Sequence, residues 1–391
     1  MSKWTKAHSR LFEHVLLDKD PQLAETLARK ELSRAEASGE VTADLEVSLA
    51  VAIMFQRRLP EARNLINSVL DRFPKRPAAL WCDALLSIYM KDPWPVVSRK
   101  LEARWAIGER PFTAQANWDG SPLNGHSVLL AGEGGLGDQI QFVRFAPLLK
   151  AAGAGRVIVS VRPGLANLVQ TMEGIDAVVS GGFGSNPPVD PADYDVGLPM
   201  MSAPVVLNVT EATLRAAVPY LRVPETAIDS ARRRIATGRN HFLNVGICRL
   251  AGKEIRSLPL ELFRPLAEIP GVRLSSLAEH SSIDEKTASF PIASLGSSDI
   301  VSDAGAISAL DLVITVDTMI AHLAGSLGRP VWLLLSYLPD CRWALEGTTT
   351  PWYPTMRLFR REGHNWESVI RNIADELADM ARVRGSCNIH L

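Results

Sequence analysis

Two short constellations in this 391-residue chain have residue types and spacing suited to chemistry. In the first, Asp317 and Thr318 are followed four residues later by His322, between two apolar runs. Asp or Thr ahead of a helix is a natural N-cap, and the helix start itself offers backbone N–H groups and a partial positive charge to an anion. Thr318 and His322 share a helix face at this spacing, so their side chains can converge on one group. A lone histidine among Ala321, Leu323 and Ala324 also fits a satisfied core residue, and both readings stay open. The second constellation is the loop GEGGLGD, residues 132–138. Its Asp138 fits an N-cap, worth ~1 kcal/mol, or a carboxylate at a cleft lip that takes a proton from a hydroxyl nucleophile.

Gly132, Gly134 and Gly137 also spell G-x-G-x-x-G between a strand and a helix, the dinucleotide fingerprint. That fingerprint needs an acid about 20 residues on to hold a ribose hydroxyl, yet no Asp or Glu lies between Asp138 and Glu173. Arg162 stands where the acid belongs, which leaves only an NADP-type oxidoreductase as an alternative. A third group, Arg249, Lys253 and Arg256 beside Ser257, follows another strand. Cations plus a helix N-terminus make a diphosphate site that needs no metal.

The elements that must position these residues follow from periodicity. Runs at 312–316 and 331–335 are apolar throughout and flank a helix-period segment at 319–327, which predicts a β-α-β unit in a parallel sheet buried on both faces. Ligands in such sheets bind beyond the carboxyl ends of the strands, where Asp317, Thr318 and His322 fall. Strands are also predicted at 127–131, 156–161, 177–179, 196–198, 244–248 and 272–277, with helices over 139–151, 260–267 and 366–382. Residues 232–239 read as a basic surface helix, a solvated face. The alternation defines two α/β domains, 118–225 and 240–391.

Ahead of them, residues 1–112 carry a helical pattern broken at Pro21, Gly39, Pro60, Pro74, Pro77 and Pro93. A period of 34 puts Leu16, Ala50 and Ala84 in register, and likewise Ala28, Ala62 and Val96, with Pro74 closing the middle unit. This pattern resembles the tetratricopeptide repeat, whose stacked helix pairs commonly bind peptides; an irregular helical cap is the alternative.

Lys plus Arg (42) nearly cancels Asp plus Glu (43), so the net charge of −1 makes no electrostatic case for a nucleic-acid partner. The four cysteines are scattered, without C-x-x-C, and suggest neither a zinc site nor a disulfide framework. The charged N-terminus does not resemble a signal peptide, and the longest uncharged run, 196–210, contains two prolines and falls short of the ~18 apolar residues of a membrane helix. A cytoplasmic protein without a transmembrane segment is expected.

The stretches GEGGLGDQIQFVRFAPLLK, RSLPLELFRPL and DLVITVDTMIAHLAGSLGRPVWLLL together look like a bacterial glycosyltransferase family, the one that includes the ADP-heptose:lipopolysaccharide heptosyltransferases (family 9). SYLPDCRWALEGTTTPWYPTMRLFRR fits the branch in which tetratricopeptide repeats precede that domain. The resemblance implies a GT-B fold, two facing Rossmann-like α/β domains with the site between them, preceded here by the all-α repeats. It implies an inverting, metal-independent transfer from a nucleotide-diphosphate sugar to an acceptor hydroxyl of a protein or glycan, with no separate cofactor. Asp138 beside Gly137 matches the proposed base, with Gly134, Gly135, Gly137 and Gln141 on the acceptor side. Lys253, Arg256, Ser257, Asp317, Thr318 and His322 would hold the donor. Met319 replaces a family glycine. The rival is a transferase-like repeat scaffold that has lost activity and binds a protein partner.

Overall fold

A computed structural model describes residues 20–107, 117–181, 189–216, 218–235, 242–251, 257–278, 288–363 and 365–387. The chain forms two compact units: Met1–Arg110 with Tyr337–Glu346, and Pro111–Ser336 with Gly347–Leu391.

The helical unit contains α1 (Pro21–Ser38), α2 (Ala43–Phe55), α3 (Leu59–Arg72), α4 (Pro77–Tyr89) and α5 (Trp94–Leu101). Its boundaries are written in the chain. Asp20 accepts the Leu23 N–H at the start of α1, Gly39 ends it at φ 70°, and α3, α4 and α5 each begin with proline in the first two positions. Each helix packs on the next. Ala28, Ala50, Ala62 and Ala84 are buried between them, and small side chains there allow close approach. Val96, in register with two of them, is 41% exposed, and Leu16 lies outside the described residues.

This unit also takes in Tyr337–Glu346 from far along the chain. Leu338 and Leu345 join its apolar core with Ile53, Ile66 and Leu86. Arg57 donates to the Tyr337 carbonyl and stacks 4.0 Å over the Tyr337 ring, and the Tyr89 hydroxyl donates to the Pro339 carbonyl at 2.6 Å.

In the other unit the parallel sheets expected from the apolar runs are present. One has four strands, β1 (Ser127–Ala131), β2 (Arg156–Val161), β3 (Ala177–Ser180) and β4 (Val196–Pro199), in the order β3-β2-β1-β4. The second comprises β5 (Leu243–Cys248), β6 (Val272–Ser276), β7 (Ala293–Ser294), β8 (Leu312–Val316), β9 (Val331–Leu335) and β10 (Met356–Arg360), in the order β10-β9-β8-β5-β6-β7. All pairings within the sheets are parallel. Every residue of β8 and β9 is buried, as continuous Val, Ile and Leu runs require.

The strand order turns back at two places, between β1 and β4 and between β5 and β8. Such switch points open a crevice at the carboxyl ends of the strands. The residues after β1 form the glycine loop; those after β5 and β8 are Arg249 and Asp317. Several sequence-based boundaries shift. The helix expected over 139–151 starts earlier, as Leu136–Phe142 (α6), and is broken by the 3-10 turn Val143–Phe145 before Ala146–Ala151 resumes. The stretch 260–267 is a 3-10 turn followed by a four-residue helix with Pro265 near its start.

The described part of the basic run belongs to a helix that begins at Glu225 (Glu225–Ile235, α7), with Arg232, Arg233 and Arg234 exposed on its last turn, where cations suit the helix dipole; residues 236–239 lie outside the described residues. Elements without an expected counterpart include β7, β10 and the helix Ile300–Ala309 (α8), which precedes β8. The helix after β8, Met319–Ser326 (α9), and the long helix Glu367–Cys387 (α10) complete the unit's main elements.

Candidate active site

The glycine loop is shaped by groups of the protein itself. Gly134 sits at φ 69°, and a Cβ there would lie 2.5 Å from the Asp138 carboxylate. That carboxylate reaches back to accept the Gly135 N–H at 2.7 Å, which satisfies one of the unpaired donors at the start of α6 and explains why the helix begins before Gln139. Asp138 is therefore a helix cap in this geometry, and it is half-buried rather than sealed. Glu133, 7% exposed, accepts the Met201 N–H at 2.7 Å and so ties the loop to the residues that follow β4. Arg162, the candidate phosphate ligand of a dinucleotide site, folds onto the Gly134 carbonyl at 3.4 Å, while its own N–H is taken by the buried Gln139 side chain. Gln141 is completely buried.

At the other switch point, Asp317 and Thr318 are half-buried. Thr318 is the N-cap of α9 in extended conformation, and its hydroxyl makes no capping bond. His322, one turn in, is 3% exposed, and its Nδ1 lies 2.9 Å from the Tyr353 hydroxyl. Its opposite edge faces Gly137: a Cβ on Gly137 would lie 2.8 Å from His322 Cδ2 and 3.5 Å from Nε2. The packing of α6 on α9 thus brings together the two motifs that the sequence singled out, with Gly137 required at the crossing.

Ser257 is held against Ala251. Its Oγ accepts the Ala251 N–H at 3.0 Å, and just outside it Leu258 N–H donates to the Arg249 carbonyl at 2.9 Å. Arg249 is buried and donates to the Leu258 carbonyl at 3.0 Å. Lys253 and Arg256 lie outside the described residues. Among the described residues no group of three or more His, Cys, Asp or Glu side chains is placed to hold a metal ion. Nor is any described helix long and apolar enough to cross a membrane. Burial pushes the Cys82 thiol up to about 12 and the Cys248 thiol to about 11 and holds Cys341 well above its ordinary value, so these three are poor nucleophiles.

Sequence reasoning missed the residues behind His322: Arg144, Tyr220 and Tyr353. Arg144 is 3% exposed, an unusual environment for arginine, and lies on a segment whose apolar spacing gives no sign of it.

No protein-family profile matches the sequence. Among curated proteins, Protein FlbA of Caulobacter vibrioides is 26% identical over 302 residues, which are 68% of this chain and 48% of FlbA. The chain thus spans about half the length of that relative. Among solved structures, a family 9 glycosyl transferase from Veillonella parvula matches 66% of this chain and 99% of its own at a TM-score of 0.51 and 12% identity. The ADP-heptose lipopolysaccharide heptosyltransferase II of E. coli matches 65% of this chain and 98% of its own at a TM-score of 0.46 and 14% identity. The first of these likenesses concerns the fold alone: about two thirds of this chain share the architecture of that protein, which agrees with the parallel-sheet α/β unit described above.

Proposed function

We propose that the chain is an inverting glycosyltransferase, with the two sheets as the facing halves of a GT-B fold. The observation that carries the reading is the crossing of α6 and α9, which sets Asp138, at the carboxyl end of the first sheet, one residue from the contact with His322, at the carboxyl end of the second. An acceptor hydroxyl attacks the anomeric carbon while Asp138 takes its proton. The bond from that carbon to the phosphate oxygen breaks, and its electron pair leaves with the nucleoside diphosphate. The start of α9, Thr318 and His322, helped by Ser257, Lys253 and Arg256, stabilises the charge that grows on the leaving group, so no metal is required. The helical repeats present the acceptor, a protein segment or glycan.

A second reading, a scaffold without activity, draws on Met319, whose side chain stands at the first position of α9 where the resembled family has glycine. One experiment separates the two. Purified protein is given a panel of nucleotide sugars, and transfer or slow donor hydrolysis is followed alongside calorimetry with UDP, GDP and ADP. Turnover that Asp138→Asn abolishes supports the transferase. No turnover and no nucleotide binding leaves the scaffold.

A further inference from the structure

We infer that Tyr353, clamped by Arg144 and Tyr220, is the positioning residue that fixes the His322 imidazole toward the Gly137–Asp138 turn; this rests on the donor-side role given to His322 above. The cage is built around a buried cation that no described carboxylate neutralises. Arg144 Nε donates to the Gln141 carbonyl at 2.7 Å, Nη1 to the Trp352 carbonyl at 2.8 Å and Nη2 to the Tyr220 hydroxyl at 3.0 Å. Its guanidinium also lies 4.7 Å from each of the Tyr220 and Tyr353 ring centres and 5.6 Å from that of Trp352. Burial works against its charge, but the phenol oxygens of Tyr220 and Tyr353 outweigh that, and its pKa stays above the ordinary value. A guanidinium only donates, and the Tyr220 proton goes to the Ile140 carbonyl at 2.9 Å, so the Tyr220 oxygen is an acceptor for Arg144. The Tyr220 N–H in turn donates to the Ser326 carbonyl at 3.1 Å, which ties the cage to the end of α9.

Tyr353 carries the constraint to His322. Its side chain is fully buried, with the ring lying against Gly325, where a Cβ would sit 2.5 Å from ring carbon Cδ1. The imidazole meets that ring edge-on, with centroids 5.8 Å apart, and Nδ1 shares a 2.9 Å hydrogen bond with the hydroxyl. Nδ1 and the Tyr353 hydroxyl can each donate or accept, so the direction of the Tyr353 O–H and the imidazole tautomer are set together, and with them what Nε2 presents on the Gly137 side. Apolar packing would hold these helices without a buried charge; the cage adds one fixed ring orientation and one tautomer.

The test is Tyr353→Phe in the full chain, a change that keeps the ring on Gly325 and removes only the hydroxyl. Histidine-labelled protein, with His322→Gln used for assignment, gives the ring-nitrogen NMR shifts of His322. Wild type is expected to show one tautomer and Tyr353→Phe an averaged pair. Affinity for ADP, UDP or GDP by calorimetry is expected to fall roughly tenfold, the scale of one hydrogen bond, with melting nearly unchanged. Arg144→Lys, which keeps charge but loses the fork and stacking, should move both readouts the same way. Unchanged His322 shifts in Tyr353→Phe overturn the inference. If wild type binds no nucleotide, the transferase reading falls, while the NMR arm still decides whether Tyr353 orients His322.

Discussion

The two strand ends that meet in the α/β unit are finished differently. Beyond β1, the helix start is closed from within: Asp138 turns back onto the Gly135 N–H, and Gly134 takes up a positive φ beside it. Beyond β8, the N-cap Thr318 makes no capping bond with its side chain, and a buried histidine stands one turn further in. The same strand-turn-helix grammar thus yields a capping carboxylate at one end and, at the other, a helix start whose N-cap side chain makes no capping bond. That division suits a base on one side and an anion on the other, and an ordinary cap elsewhere in the unit gives the control. Asp299 begins α8 by accepting the Val301 and Ser302 N–H groups together with the Ser302 hydroxyl.

Several changes break or sharpen this contrast. The largest effect is expected from Asp138→Asn, which can keep the bond to Gly135 N–H yet cannot accept a proton: turnover should fall about 10²-fold or more in a steady-state assay, with little loss of stability. Asp138→Ala should add a loss of about 1 kcal/mol in denaturant unfolding, because the cap goes too. Gly137→Ala drives a methyl into the His322 ring and should cost about 1–3 kcal/mol, read as a lower urea midpoint with the m-value unchanged.

Thr318→Asp makes the second end resemble the first. Thermal melting should stay level or rise slightly, while diphosphate affinity falls about tenfold because a carboxylate now competes for the helix start. Unchanged affinity would show that the two ends do not divide their roles in this way.

The smallest effect belongs to the control. Asp299→Ala should cost about 1 kcal/mol and leave turnover alone. Its hydrogen bond from Ser302 holds the Asp299 carboxyl below its ordinary 3.8. A depressed carboxyl contributes stability that is complete above the unfolded value near 3.8 and is lost as pH falls through the lower folded value. Wild type should therefore lose more stability than Asp299→Ala as acid is added below that pH, in parallel urea titrations.

The four-stranded sheet, the β5, β6, β8 and β9 strands of the second sheet and the β8-turn-α9 unit could be read from sequence because buried parallel strands leave apolar runs rich in Val, Ile and Leu, and the helix between β8 and β9 keeps its own period. The α6 boundary shifted because Asp138 caps from the third helical position, so the start lies inside the glycine run. Helix α8, with the sequence IVSDAGAISA, has too little apolar contrast to stand out, although Asp299 and Ser302 marked its start.

What no local pattern reveals is tertiary. The Tyr89–Pro339 bond joins residues 250 positions apart, so nothing near residues 337–346 shows that they enter the helical core. Nothing near Arg144 in the sequence marks it as buried between Tyr220 and Tyr353, and Gly137, part of a glycine-rich loop in the sequence, is packed against His322.

The most direct test of the account is a crystal structure of the full chain soaked with UDP, GDP or ADP, whichever calorimetry shows to bind. The expected result is diphosphate density at the start of α9, within hydrogen-bond reach of the Met319 and Ile320 N–H groups and beside Thr318 and His322. A diphosphate bound instead on the Gly132–Gly137 loop beside Arg162, or none at saturating concentration, would contradict it.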